Sequence, residues 1–135
     1  VEQINPSNED FSQQEFYKIP PTIVTNTNDD MKIMSEEIFG PVASVICVSN
    51  YDEALSVAND TAFGLSAGIV TNSLKYASDF KRNVESGIVA VNLPTAGVDY
   101  HVPFGGTKNS SYGAREQGQY AKEFYTTVKT SYTKA

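Results

Sequence analysis

Seven residues, Ser35-Glu36-Glu37-Ile38-Phe39-Gly40-Pro41, set two carboxylates and a large aromatic on a chain reversal made by a Gly-Pro pair. A carboxylate only accepts hydrogen bonds, which suits two adjacent hydroxyls of a sugar, and an aromatic ring two residues on can lie against a planar heterocycle. That combination has the shape of a nucleotide site; the plainer alternative is an acidic surface turn with Phe39 in the core. A second stretch, Val102-Pro103-Phe104-Gly105-Gly106-Thr107-Lys108, fixes an aromatic between a proline and two glycines, a rigid wall for a small apolar or carbonyl-bearing substrate. The glycines would also let the backbone pass close to a bound molecule or to another strand. His101, the only histidine, lies just ahead of that stretch. It has no cysteine, serine or carboxylate partner that sequence can place, so a polar loop role outweighs general-base chemistry. Asp99 and Lys108 read as solvated charges.

The chain that must position these groups is 135 residues long, one domain's worth, with ordinary apolar and charged fractions. A net charge of −6 and a pI near 4.6 argue against a nucleic-acid binder or a helix lying on an anionic membrane. No apolar run approaches the ~20 residues that span a bilayer, and the opening Val1-Glu2-Gln3 is no secretory signal, so a cytoplasmic chain is expected. A first residue that is Val rather than Met suggests a piece of a longer chain. The single cysteine, Cys47, lies in the apolar run Val45-Ile46-Cys47-Val48 and reads as a buried strand thiol rather than a nucleophile. No metal site is expected.

In chain order, residues 1–15 read as a polar lead-in without a convincing period. Phe16 to Val24 is extended chain interrupted by Pro20-Pro21, and Met31 to Glu37 is at most a short turn of helix. The spacing then predicts a covered strand over Val42 to Val48, and a helix from Tyr51 to Asn59 with Asn50 and Glu53 as a capping box. It predicts a strand over Leu65 to Val70, a helix capped by Ser73 and closed at Gly87, and a third strand over Ile88 to Val91. Strands of this kind linked by helices predict an α/β fold, a parallel sheet with right-handed helical crossovers, whose ligands gather at the strands' carboxyl ends. The long loop from Asn92 to Tyr112 is where chemistry is expected. A short helix to about Phe124 and a strand over Tyr125 to Tyr132 complete the chain, and the strand's open edge makes it a candidate oligomer contact or an ordinary edge strand.

Five motifs carry a resemblance: Glu36 to Pro41, Asn59-Asp60-Thr61-Ala62-Phe63-Gly64-Leu65-Ser66-Ala67, Ser86-Gly87 through Val91-Asn92, Pro103 to Lys108, and Gly113-Ala114-Arg115-Glu116-Gln117-Gly118. In order and spacing they resemble the carboxyl-terminal part of the aldehyde dehydrogenase superfamily, from about Phe16 to the end. The resemblance implies oxidation of an aldehyde to a carboxylic acid with NAD or NADP, through a thiohemiacetal and a thioester on a catalytic cysteine. It assigns Glu37 to the hydroxyls of the nicotinamide ribose, Phe39 to the neighbourhood of the nicotinamide, Phe104 to the substrate tunnel, and the segment after Gly118 to oligomerisation. It implies a partial catalytic domain over 16–112 and a helix with an oligomerisation strand over 113–135.

The family's cysteine nucleophile, general-base glutamate, oxyanion asparagine and dinucleotide-binding domain precede the matched region, and Cys47 is in the wrong place to substitute. The expectation is therefore a carboxyl-terminal fragment that is inactive by itself, joining a homo-oligomer through residues 125–132, with neither nucleic acid nor membrane as partner. The loop from Pro94 to Val102 also resembles members acting on 2,5-dioxopentanoate (α-ketoglutaric semialdehyde), whose carboxylate His101 or the loop amides could hold. Succinic semialdehyde or a benzaldehyde also fits. The alternative function is a non-catalytic assembly module that pairs through its last strand.

Overall fold

The computed structural model describes residues 2–4, 19–28 and 30–135 and divides into two compact units, Val1–Asn50 and Tyr51–Ala135. In the first unit, β1 (Glu2–Ile4) pairs antiparallel with β2 (Thr22–Thr25), Glu2 opposite Thr25, and β2 pairs parallel with β3 (Val42–Ser44), Thr22 opposite Val42. The double proline stands just ahead of β2, where a missing N–H costs the ladder nothing. Thr22 anchors the strand's start, its hydroxyl donating to the Pro20 carbonyl at 2.9 Å and its amide to the Pro41 carbonyl at 2.8 Å. Thr22 and Val24 are buried while Ile23 faces outward, the alternation of a half-covered strand. The crossover from β2 to β3 runs through α1 (Lys32–Ser35), a single turn closed by the Glu36 amide on the Lys32 carbonyl.

Two expectations fail here. Part of the polar lead-in, Glu2 to Ile4, is a strand, because a sheet edge formed by distant residues supplies partners that local composition does not report; the rest of residues 1–15, and Phe16 to Lys18, lie outside the described residues. β3 stops at Ser44 rather than Val48, and Cys47 is exposed rather than buried in a strand. The partner strand runs out: after the Val45 amide bonds the Val24 carbonyl at 2.9 Å, Asn26 turns left-handed at φ 55°.

The second unit follows the expected alternation more closely. α2 (Tyr51–Asn59) carries Asp52 and Glu53 in its first turn, where the helix dipole favours them. A two-residue strand, β4 (Phe63–Gly64), precedes β5 (Ser66–Ile69). α3 (Leu74–Asn83) then crosses over to β6 (Ile88–Val91), parallel to β5 with Ser66 opposite Ile88 and Ile69 opposite Val91. Ser73 caps α3, its hydroxyl accepting the Tyr76 amide at 3.4 Å. The helix ends at Asn83 with an extended Val84, so Gly87 is not its cap. Phe80 and Val84 are the unit's buried apolar side chains.

The chain is α/β, with parallel strands joined by helices, but among the described residues the three expected strands do not form one parallel sheet. β3 pairs with β2, β5 with β6, and β4 pairs antiparallel with β7 (Thr107–Lys108). Apolar runs specify that a strand will be covered and leave its neighbour open. A turn of 3-10 helix at Gly118–Tyr120 leads into α4 (Ala121–Tyr125), after which the expected strand over Tyr125 to Tyr132 does not form. Thr126 is extended, yet Val128 and Tyr132 are more than nine-tenths exposed, since a strand without a second edge has no ladder to join. Among the described residues no helix is long and apolar enough to cross a membrane.

α2 and α3 meet through stacked rings. Tyr51 and Tyr76 lie with centroids 4.5 Å apart and planes 17° from parallel, and the Tyr51 hydroxyl donates to Asp79 Oδ2 at 2.8 Å. Partial removal from water, then the hydrogen bond and the charge of Asp79, push the Tyr51 phenol up to about 12. The same hydrogen bond, helped by one from Asn83, holds the Asp79 carboxyl below its usual range. A raised phenol stabilises the fold fully below its unfolded value of 10 and loses that contribution as pH rises to about 12. The depressed carboxyl contributes above its unfolded value and loses it in acid. The denaturation midpoint is therefore expected to fall between pH 10 and about 12, and to fall less in Tyr51→Phe. Equal slopes in the two proteins would remove this hydrogen bond from the stability of the helix pair.

Candidate functional site

In the first unit, the segment joining α1 to β3 encloses a hollow of about 360 Å³ whose lining includes Ile33, Glu37, Phe39, Gly40, Val42 and Ser44. Its shape comes from an abrupt change of backbone: Glu36 is extended at φ −110°, Phe39 is left-handed at φ 51°, and the Val42 amide closes back on the Gly40 carbonyl at 2.8 Å. The ring of Phe39 is 88% exposed, so it is no part of a core. The two carboxylates differ. Glu36 lies 3.8 Å from Lys32 in an exposed ion pair, which in water is worth little, while Glu37 has no hydrogen-bond or ion-pair partner among the described residues. Glu37 and Phe39 thus face one hollow, an open acceptor beside an open ring. It stands at the amino end of β3, because the crossover through α1 returns the chain there, and not at the carboxyl end where ligands of open α/β sheets usually gather.

In the second unit, Phe104 is held by its backbone. Its amide and carbonyl both pair with Glu116, at 2.7 and 2.8 Å, in an antiparallel bridge. The next two residues are pressed between other segments. A methyl group built on Gly87 would stand 2.0 Å from the Gly105 carbonyl oxygen, and one on Gly106 would stand 2.8 Å from the Gly64 carbonyl oxygen. Of the two roles open to this glycine pair, the structure shows the close approach of another strand. Arg115 caps the crossing by donating to the Gly106 carbonyl, and Ser111 accepts the Gly106 amide.

Polar groups lock the crossing. Thr107 donates to the Glu85 carbonyl at 2.6 Å, and the Lys108 ammonium bonds both the Asn59 carbonyl at 2.6 Å and the Glu85 carboxylate at 2.7 Å. Asn59 answers with its side chain, accepting the Glu85 amide at 2.8 Å and donating to the Asn83 carbonyl at 2.9 Å. Lys108 is therefore a tie rather than the solvated charge expected of it. Asn59 had only the look of a helix end, since the sequence does not show that its amide spans two segments. A second clasp was equally hidden: the Asn92 side chain accepts the Thr71 amide at 2.8 Å and donates to the Thr71 carbonyl at 2.9 Å, with Asn92 itself left-handed at φ 56°. It joins the carboxyl ends of β5 and β6 where the long loop departs. An asparagine directly after a strand is the signal that could have found it, because its amide mimics a backbone partner and tolerates that conformation.

His101 shares the loop with Phe104 but differs from it. His101 is exposed, its ring edge-on to Tyr100 at 5.4 Å, whereas Phe104 is half-buried. Asp99 is exposed, and its carbonyl accepts the Val102 amide at 3.3 Å. Among the described residues no cluster of three or more His, Cys, Asp or Glu could hold a metal.

The model of the aldehyde dehydrogenase family matches residues 4–131. The chain belongs to that family. It is 51% identical over 115 residues to an alpha-ketoglutarate semialdehyde dehydrogenase of Haloferax volcanii, covering 84% of this chain and 24% of that protein. An alpha-ketoglutaric semialdehyde dehydrogenase of Bacillus subtilis is 44% identical over 126 residues, 93% of this chain and 26% of that one. Among solved structures, the indole-3-acetaldehyde dehydrogenase AldA of P. syringae, in complex with NAD+ and IAA, superposes with a TM-score of 0.76 at 39% identity, over 87% of this chain and 23% of the other. This aldehyde dehydrogenase chain thus spans about a quarter of the length of the curated relatives it matches.

The glycine crossing yields a direct expectation. Gly87→Ala sets a methyl against a carbonyl oxygen of the backbone, which cannot rotate away, and should lower the stability of the second unit by about 1–3 kcal/mol or more. Urea denaturation measures it, and an unchanged midpoint would show that the crossing has slack.

Proposed function

We propose that this chain is a carboxyl-terminal portion of an NAD(P)-dependent aldehyde dehydrogenase that oxidises a semialdehyde bearing a carboxylate, of the α-ketoglutaric semialdehyde kind, and that by itself it is inactive. The observation that carries the reading is the hollow in which Glu37, an acceptor without a partner among the described residues, and Phe39, an exposed ring on a left-handed backbone, lie together. At about 360 Å³ it is at the small end of ligand pockets, the size for one end of a dinucleotide rather than the whole. The residues present fit a nicotinamide riboside. The Glu37 carboxylate would accept hydrogen bonds from the two ribose hydroxyls, and the Phe39 ring would offer its face to the planar heterocycle. The cofactor, when bound, supplies the acceptor for the aldehyde's hydride.

Phe104 does its work on the substrate side as a wall, on a backbone that cannot drift because Glu116 holds one flank and the glycine crossing the other. Positioning of that kind raises the fraction of encounters in which the carbonyl is presented correctly. The semialdehyde class is supported by the names of the similar proteins from Haloferax volcanii and Bacillus subtilis, and by the exposed His101 and loop amides beside Phe104, which suit a carboxylate. Residues 125–132, exposed and leaving α4 through the extended Thr126, are proposed to complete a sheet of another copy, giving a homo-oligomer. An acidic chain without a membrane-crossing helix among its described residues supports a cytoplasmic setting.

The test is aldehyde-dependent NADH or NADPH formation. The whole enzyme should turn over α-ketoglutaric semialdehyde in preference to uncharged aliphatic aldehydes, and the isolated chain should show no turnover. Glu37→Gln should raise the KM for cofactor or slow hydride transfer by about ten- to a hundredfold, the worth of a hydrogen bond to a charged group. Phe104→Ala should cost roughly a hundredfold in kcat/KM. Turnover by the isolated chain would overturn the fragment reading. Unchanged cofactor kinetics in Glu37→Gln would remove Glu37 from the site, and a preference for uncharged aldehydes would reject the semialdehyde.

A further inference from the structure

We propose that Tyr51 and Tyr76 form an oxidative cross-linking site, at which a one-electron oxidant joins α2 to α3 through a dityrosine bond. The rings are already stacked, 4.5 Å between centroids and 17° from parallel, and among the described residues no other two tyrosines are in ring contact. Tyr76 is 39% exposed, so an oxidant reaches the pair from solvent. The surroundings decide where oxidation begins. A phenol losing an electron becomes a strong acid and must lose its proton in the same event. The Asp79 carboxylate, which accepts the Tyr51 hydrogen bond at 2.8 Å, is placed to take it. At the other ring, the Lys75 ammonium lies 5.8 Å from the Tyr76 centroid and disfavours positive charge there. Tyr51 is therefore oxidised first, and the stack passes the electron vacancy between the rings.

The chemistry balances with a haem peroxidase and hydrogen peroxide as oxidant. Each phenol gives up one electron and one proton. The two phenoxyl radicals couple by a carbon–carbon bond between ring positions ortho to the hydroxyls, and each coupled carbon sheds its hydrogen as the ring regains aromaticity and its phenol. The peroxide, taking two electrons and two protons, leaves as two waters. The bond would span the segment from Tyr51 to Tyr76, which contains β4 and β5, and would restrict the unfolded chain as a disulfide does. With one cysteine, the chain cannot make an intramolecular disulfide of its own.

The test treats the full chain, at high dilution, with a haem peroxidase and limiting hydrogen peroxide, and digests the monomer with trypsin. Cleavage after Lys32, Lys75 and Lys81 puts Tyr51 in the peptide 33–75 and Tyr76 in the peptide 76–81. The expected product is these two peptides joined, lighter by two hydrogen atoms and showing dityrosine fluorescence, and the cross-linked monomer should unfold at higher urea than the untreated one. Tyr51→Phe and Tyr76→Phe, each checked for an unchanged helical circular dichroism spectrum, should abolish that product. Asp79→Asn, which keeps an acceptor but not a base, should lower its yield several-fold. Dityrosine only between other residues, or the same joined pair in equal yield from urea-unfolded chain, would overturn the proposal. An undiminished yield in Asp79→Asn would overturn the part given to Asp79.

Discussion

The second unit is organised by a steric constraint: three stretches of backbone, at Gly64, at Gly87 and at Gly105-Gly106, run closer together than any side chain allows. Backbone carbonyls and amides brought that near need partners. The Gly87 amide bonds the Gly64 carbonyl at 3.0 Å, the Ile88 amide bonds the Leu65 carbonyl at 3.0 Å, Ser110 and Ser111 accept the Gly64 and Gly106 amides, and Arg115 donates to the Gly106 carbonyl. Phe104 stands directly before this crossing. Its position does not depend on packing of its own ring, which is only half-buried; it is set by the chain on either side.

That matters where the described residues bury so little apolar surface. Among them Val24, Phe80 and Val84 are the buried hydrophobic side chains, whereas Leu74, on the same helix as Phe80, is 86% exposed and Val70, just after β5, 89%. Hydrophobic surface of this extent marks an interaction face. A chain that matches a quarter of its relatives' length is expected to have such faces where the remainder of a larger fold would lie, which is how the proposed reading accounts for them. On that reading the run from Val45 to Val48, exposed except for a half-buried Ile46, has the same explanation: its composition suits a cover that β2 alone is too short to provide.

Legibility in the sequence tracked the range of the interaction. α2 was legible to the residue, and β6 likewise, since a capping pattern and a short apolar run are local. Glu37 and Phe39 were legible as a pair because two residues apart on a tight turn is itself a spatial statement. The parallel crossover from β5 to β6 was legible, but the pairing of β3 with β2 was not, nor was the antiparallel pairing of β4 with β7, which joins residues more than forty apart. Gly87 shows the limit best. As a glycine after a helix it looks like a cap, yet the helix closes on Val84 without it, and its lack of a side chain serves a segment that arrives eighteen residues later. The two asparagine clasps failed to announce themselves for the same reason: a side-chain amide that ties two backbones has no local periodicity.

Phe39 supplies the last step, because it is where local preference and observed geometry disagree without a local remedy. A bulky residue in the left-handed region carries a cost of about 1–3 kcal/mol, and a glycine stands next to it, free to have taken that conformation instead. Burial of the ring would offset the cost at once, but the ring is 88% exposed. No contact among the described residues of the unit therefore accounts for the strain. An exposed ring held off its preferred backbone, beside a carboxylate with no partner among the described residues, is stabilised when a flat group with neighbouring hydroxyls lies against both, since that ligand desolvates the ring and fills the acceptor in one event. On the proposed reading the conformation is shaped for a bound ligand, and its position at the amino end of β3 follows from the same turn, because the segment between α1 and β3 is free of the ladder.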